Sequence, residues 1–130
     1  MEYTVQRSDT NDAVVVAVAG TITVDDGAGL HDTLRELCAT PQPVLIDLAG
    51  TTELDRYGLS VLVQAARQLR QLGYPLAIVA PKPAVRAVFE SSGVHEIIPI
   101  CASQVEAVAL TTVLRDQYRE VPDREVPDNR

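Results

Sequence analysis

Asp55, Arg56, Tyr57 and Gly58 lie side by side where the apolar run Val44–Gly50 gives way to an amphipathic pattern. A carboxylate, a guanidinium and a phenol at such a junction could serve three kinds of chemistry. Asp55 could pair with Asp47 for general acid–base work. The start of the following helix could hold an anion on its free N–H groups. The exposed side chains could instead dock another protein. Simpler structural roles are available for both carboxylates. Asp47 is expected to bond backbone at the strand end, and Asp55 to cap the next helix.

Signatures of catalysis are missing elsewhere. The chain holds no GxGxxG and no GxxxxGK[ST], so it has no standard phosphate loop. A GxSxG nucleophile elbow is absent too. His31 and His95 are the only histidines, and neither belongs to an HExxH pair. Both read as surface residues. Cys38 and Cys101 do not form a CxxC motif and read as two reduced thiols. They could form a redox pair only if the fold brought them together. No catalytic residue, metal or cofactor is therefore expected.

The elements that must position the junction follow from hydrophobic periodicity. Tyr3–Arg7 and Ala13–Gly20 read as a hairpin, the second strand continuous and buried. Ser8–Asp12 supplies the turn. Thr23 and Asp26 form a weak capping box before a helix carrying Leu30, Leu34, Leu37 and Cys38. Val44–Gly50 is a buried strand, with residues 51–57 as a turn. Leu59, Leu62, Val63, Ala66 and Leu69 mark a helix that Gly73 stops. Tyr74–Ala80 is a strand. Pro83 opens a helix with Val85, Val88 and Phe89 inward, and Gly93 closes it. Glu96–Ile100 reads as a last strand. Ser103 with Glu106 caps a final helix, with Val105, Val108, Ala109 and Val113 facing in. Residues 119–130 contain EVPD twice and read as a disordered acidic, proline-containing tail after a domain of residues 1–118. The order ββαβαβαβα predicts an α/β domain with a mostly parallel, mixed sheet of about five strands and about four helices.

Composition bounds the partners. At 130 residues and 46% hydrophobic content the chain is one globular domain. Its net charge of −7 argues against nucleic acid, which needs a basic stripe, and against an anionic membrane surface. No apolar run approaches the ~18 residues of a membrane span. The polar N-terminal stretch has no signal-peptide pattern. A cytoplasmic location and no membrane insertion are expected.

The stretch "VLIDLAGTTELDRYGLSVLVQAARQLRQLG" resembles the central segment of STAS domains, the anti-sigma factor antagonist family. "VAVAGTITV" is similar to the family's second strand and loop, and "PKPAVRAVFESSGVHEIIPI" to its P-x-V-R run. The likeness covers roughly residues 3–115. It implies a STAS fold and a non-catalytic protein-interaction module whose partner is an anti-sigma factor, itself a kinase. The implied surface comprises Thr21, Thr23, Asp25, Asp55, Arg56, Tyr57, Gly58, Leu59 and Ser60. In the family, a serine directly after the motif Asp is phosphorylated, and the modified form releases its partner. Here that position holds Arg56, which has no hydroxyl. The neighbouring loop, G-E-L-D in many relatives, reads Gly20-Thr21-Ile22-Thr23. Ser60, Thr51, Thr52 and Tyr57 are the nearby hydroxyls that could take over. An alternative within the same resemblance is a STAS subunit or sensor of a membrane transporter or larger signalling complex.

Overall fold

A computed structural model describes residues 2–7, 13–23, 27–39 and 42–120. The elements are β1 (Glu2–Arg7), β2 (Val14–Ile22), α1 (Gly27–Ala39), β3 (Val44–Leu54), α2 (Arg56–Gln71), β4 (Leu76–Val79), α3 (Pro83–Ser91), a 3₁₀ turn (Val94–Glu96), β5 (Ile100–Cys101) and α4 (Gln104–Glu120). The five strands form one sheet in the order β1-β2-β3-β4-β5. β1 runs antiparallel to β2, and every other pair is parallel. This is the α/β mixed sheet that the alternating pattern predicts.

Side-chain alternation along the strands divides the core. Val14, Val16, Val18, Val44, Ile46, Leu48 and Ile78 point to one face, where they meet Leu30 and Leu34 of α1, Leu62 and Leu69 of α2, and Phe89 of α3. Val15, Leu45, Ala77, Val79 and Cys101 point to the other, under Ala107 of α4. Period-two alternation forces this split, because adjacent residues of a strand cannot share a face. The two cysteines fall in separate clusters with the sheet between them, and both are free thiols. They do not form the redox pair considered above.

Three expectations from periodicity need correction. First, β3 does not end at Gly50 but continues through Thr51, Thr52 and Glu53 to Leu54. It does so because β2 also extends, with Thr21 opposite Glu53 and Ile22 opposite Leu54. Register shifts between Ala17 and Ala19 and between Gly20 and Thr21 absorb the mismatch. Gly20 takes φ 91 there, a conformation natural to glycine.

Second, the last strand does not begin at Glu96: residues 96–99 are not strand. Gly93 turns the chain at φ 80. The N–H groups of Ile97 and Ile98 then both donate to the Val94 carbonyl, at 2.8 and 2.9 Å. Ile98 drops into the core while Ile97 stays exposed. Only Ile100 and Cys101 pair with β4.

Third, α4 presents a different face. Ala107 and Thr111 are buried, whereas Val105 is 81% and Val113 53% exposed. Ala109 is exposed as well. The helix lies over the small side chain of Ala77, so small residues make the closest approach. The Thr111 hydroxyl donates to the Val108 carbonyl at 3.1 Å, which satisfies it. Ser103 caps α4 as expected, and the reciprocal bond of Glu106 reaches the N–H one residue before the cap. The Glu106 N–H donates to Ser103 Oγ at 3.2 Å, and Glu106 Oε1 accepts from the Ala102 N–H at 3.0 Å.

Candidate partner-docking site

The β3–α2 corner is built from a cap, a clamp and three outward side chains. Asp55 is the N-cap of α2, in extended backbone conformation. Its Oδ1 accepts from the Gly58 N–H at 2.8 Å, and its carbonyl accepts from the Leu59 N–H at 2.9 Å. This satisfies donors that a helix start otherwise leaves open. The Asp55 N–H donates to the Ile22 carbonyl at 3.1 Å, so the cap is tied to the end of β2.

Gly58 lets α2 press against that strand end. It is buried, and Ile22 and Leu54 occupy the space where a side chain would start. Leu59 is buried beside it and belongs to the core. Of the expected surface residues, Gly58 and Leu59 therefore support the corner from within. Arg56, Tyr57 and Ser60 are exposed. Ser60 Oγ donates to the Tyr57 carbonyl at 2.7 Å. Among the described residues, the Arg56 side chain makes no hydrogen bond or ion pair.

The end of β2 lies alongside. Thr21 and Thr23 are half-buried next to the corner, whereas Asp25 lies outside the described residues. Two threonines of β3 close the gap, and the periodic pattern did not mark them. Thr51 Oγ1 donates to the Val18 carbonyl at 2.7 Å, and Thr52 Oγ1 to the Gly20 carbonyl at 3.2 Å. Thr51 is fully buried, which removes it from the hydroxyls a modifying enzyme could reach. The one signal for these contacts in the sequence was the threonine pair directly after Gly50.

Asp47 takes no part in the corner. Its Oδ1 accepts from the Ala49 N–H at 2.9 Å, and its Oδ2 from Gln104 Nε2 of α4 at 3.3 Å. It thus belongs to the sheet face under α4, while Asp55 caps a helix on the opposite face. The acid–base pair does not form. His95 Nδ1 lies 3.3 Å from the Phe89 carbonyl, and His31 lies on α1 beside Asp32. Among the described residues no group of three or more His, Cys, Asp or Glu side chains could hold a metal. No described helix is long and apolar enough to cross a membrane.

Residues 5–99 match the family model described as Mlab, STAS domain. The chain belongs to the STAS domain family. Over 66 residues this STAS domain is 39% identical to BtrV of Bordetella bronchiseptica, provisionally named an anti-sigma factor antagonist. That match spans 51% of this chain and 57% of the relative. The fold is shared with solved structures of low identity. An anti-sigma factor antagonist from Mycobacterium paratuberculosis superposes with a TM-score of 0.73 at 21% identity, covering 85% of this chain and 93% of that one. A Thermotoga maritima protein, provisionally named the same way, gives 0.78 at 17% identity, with 85% and 94% covered. The Bacillus protein SpoIIAA in its phosphorylated form gives 0.65 at 16% identity, with 83% and 97% covered.

Proposed function

We propose that this STAS domain is a non-catalytic adaptor that binds an anti-sigma factor of the kinase-like type through its β3–α2 corner. The contact would comprise Arg56, Tyr57 and Ser60 at the start of α2, with Thr21 and Thr23 beside them and Asp25, which lies outside the described residues, as a further expected member. The observation that carries this reading is the presentation of Arg56 and Tyr57 to solvent on a helix start held from below by Asp55, Gly58 and Ile22. A preorganised surface loses little entropy when it docks.

Arg56 gives the proposal its particular form. A cation in the first turn of a helix faces the positive end of the dipole, an arrangement that costs roughly 0.3–1 kcal/mol. A carboxylate on the partner would relieve that cost and form a charge-assisted bond. The guanidinium also cannot accept phosphate, so release by modification at this position is lost. Binding would then be governed by abundance or by another residue, with exposed Ser60 the nearest serine.

The test is a pull-down of kinase-like anti-sigma factors with the native chain and with Arg56→Ser, followed by ATP and intact-mass measurement. The reading expects capture by both chains and phosphate on the Arg56→Ser chain alone. Capture by neither would refute it. Recovery of a transporter ATPase in place of an anti-sigma factor would support the alternative, a transporter or signalling-complex subunit.

A further inference from the structure

A second recognition surface lies at the far end of α2, roughly 20 Å from Arg56 along the helix axis at ~1.5 Å per residue. There Ala66, Arg67, Arg70, Leu76, Ile97 and Tyr118 line an open groove of about 240 Å³. Its floor is apolar and its rim is cationic. The Arg70 guanidinium carbon lies 4.9 Å from the centre of the Tyr118 ring. Stacking uses the flat face of a guanidinium and leaves its in-plane N–H donors for a carboxylate. Among the described residues neither Arg67 nor Arg70 has a carboxylate partner. Ile97 is 45% exposed at the groove edge, a large apolar side chain left uncovered. In a chain of net charge −7, two arginines with no carboxylate partner among the described residues, set around an apolar floor, call for an occupant that is both acidic and aliphatic.

The chain carries such a segment next to the groove. Residues 120–128 read EVPDREVPD, with four carboxylates, one guanidinium, two valines and two prolines. All but Glu120, the last residue of α4, follow directly on that helix, whose Tyr118 forms one wall of the groove. Asp123 lies three residues beyond the end of α4, a reach of up to roughly 10 Å in extended chain. Proline reduces the entropy lost on ordering such a segment. We infer that the groove between α2 and α4 is the docking site of the chain's own Val-Pro-Asp segment, with Asp123 or Asp128 on Arg67 and Arg70 and a valine against Ile97 and Leu76. The bound segment would leave the β3–α2 corner open, since the two sites occupy opposite ends of α2. A short tether supplies an effective concentration in the millimolar range, so a contact of only millimolar affinity is about half occupied.

The full chain is compared with Arg67→Ala/Arg70→Ala and with Asp123→Asn/Asp128→Asn, circular dichroism confirming the fold of each. Trypsin cleavage after Arg124 should run about twofold faster or more in both variants, as expected for a half-occupied site. In ¹H–¹⁵N spectra the Arg67 and Arg70 Nε signals and the Ile97 amide should move in Asp123→Asn/Asp128→Asn. A synthetic peptide of residues 119–130, at millimolar concentration, should move them back. Equal cleavage rates with unmoved resonances would overturn the inference. Shifts that grow with protein concentration would overturn it too, in favour of a contact between copies.

Discussion

Gly58 of α2 sits so close to Ile22 of β2 that a methyl group on its Cα would lie 2.7 Å from Ile22 Cγ2 and 2.8 Å from the Ile22 carbonyl oxygen. No real side chain tolerates such distances, so the helix start and the strand end are locked together. Gly58→Ala should destabilise the domain by roughly 1–3 kcal/mol through overpacking. Urea unfolding measures the loss, and amide shifts should concentrate at residues 20–23 and 54–60. An unchanged midpoint would mean that α2 is free to lift away from β2.

The cap makes a separable contribution. Asp55→Ala removes the acceptor for the Gly58 N–H and should cost about 1 kcal/mol. Asp55→Asn keeps an acceptor at the same place and should retain most of the stability. The difference between the two, read from denaturation midpoints, isolates the hydrogen bond from the side-chain volume.

Thr51 offers a third test. Its hydroxyl is buried and donates to the Val18 carbonyl across the irregular part of the β2–β3 ladder. Thr51→Val should cost about 1 kcal/mol, because it removes a buried hydrogen bond at nearly constant shape. Thr52→Val, at an exposed position, should stay within roughly 0.5 kcal/mol of the native value.

The thiols predict a pH dependence. Burial pushes Cys101 above its ordinary value of 9.0, and the charge and hydrogen bond of Glu106 push it further in the same direction. Burial alone raises Cys38. A raised thiol holds its proton more tightly in the folded chain than in the unfolded one. The associated stability is therefore intact below about pH 9 and is lost as pH climbs through the folded-state value. Cys101→Ala should flatten that alkaline decline. At neutral pH iodoacetamide should modify Cys38 slowly and Cys101 more slowly still, as followed by mass spectrometry.

Much of the architecture was legible in residue patterns, because it rests on strong local signals. Asp55 before an amphipathic run marks a cap. Gly73 at φ 93 and Pro83 at the first turn of α3 punctuate their helices as their chemistry dictates. The misread regions are those where tertiary contacts outweigh local preference. The strand character of Thr51–Leu54 depends on pairing with Thr21 and Ile22, a relationship more than thirty residues long-range. The inward face of α4 is set by the small side chains beneath it, so Val105 and Val113 lie outside while Ala107 and Thr111 lie inside and Val108 packs at the edge of the core as expected. At the corner, the residue types that reach solvent were identifiable. The buried roles of Gly58 and Leu59, and the bond from Asp47 to Gln104, required knowing which sheet face each occupies.

Each strand of the sheet lies beside its predecessor in the chain, and that order shapes how the molecule assembles. Each parallel pairing closes a loop of about twenty to thirty residues through one crossover, shorter than a non-sequential strand order would need, which limits the entropic barrier to each pairing step. The β2–β3 pair, with the longest ladder, is the natural nucleus, and the two-residue β5 is the natural latecomer. Truncations at Ile46 should slow refolding, whereas changes at Cys101 should chiefly accelerate unfolding. Stopped-flow chevrons would distinguish the two. The docking corner, built on the nucleus itself, would then be ready before the domain's far edge has closed.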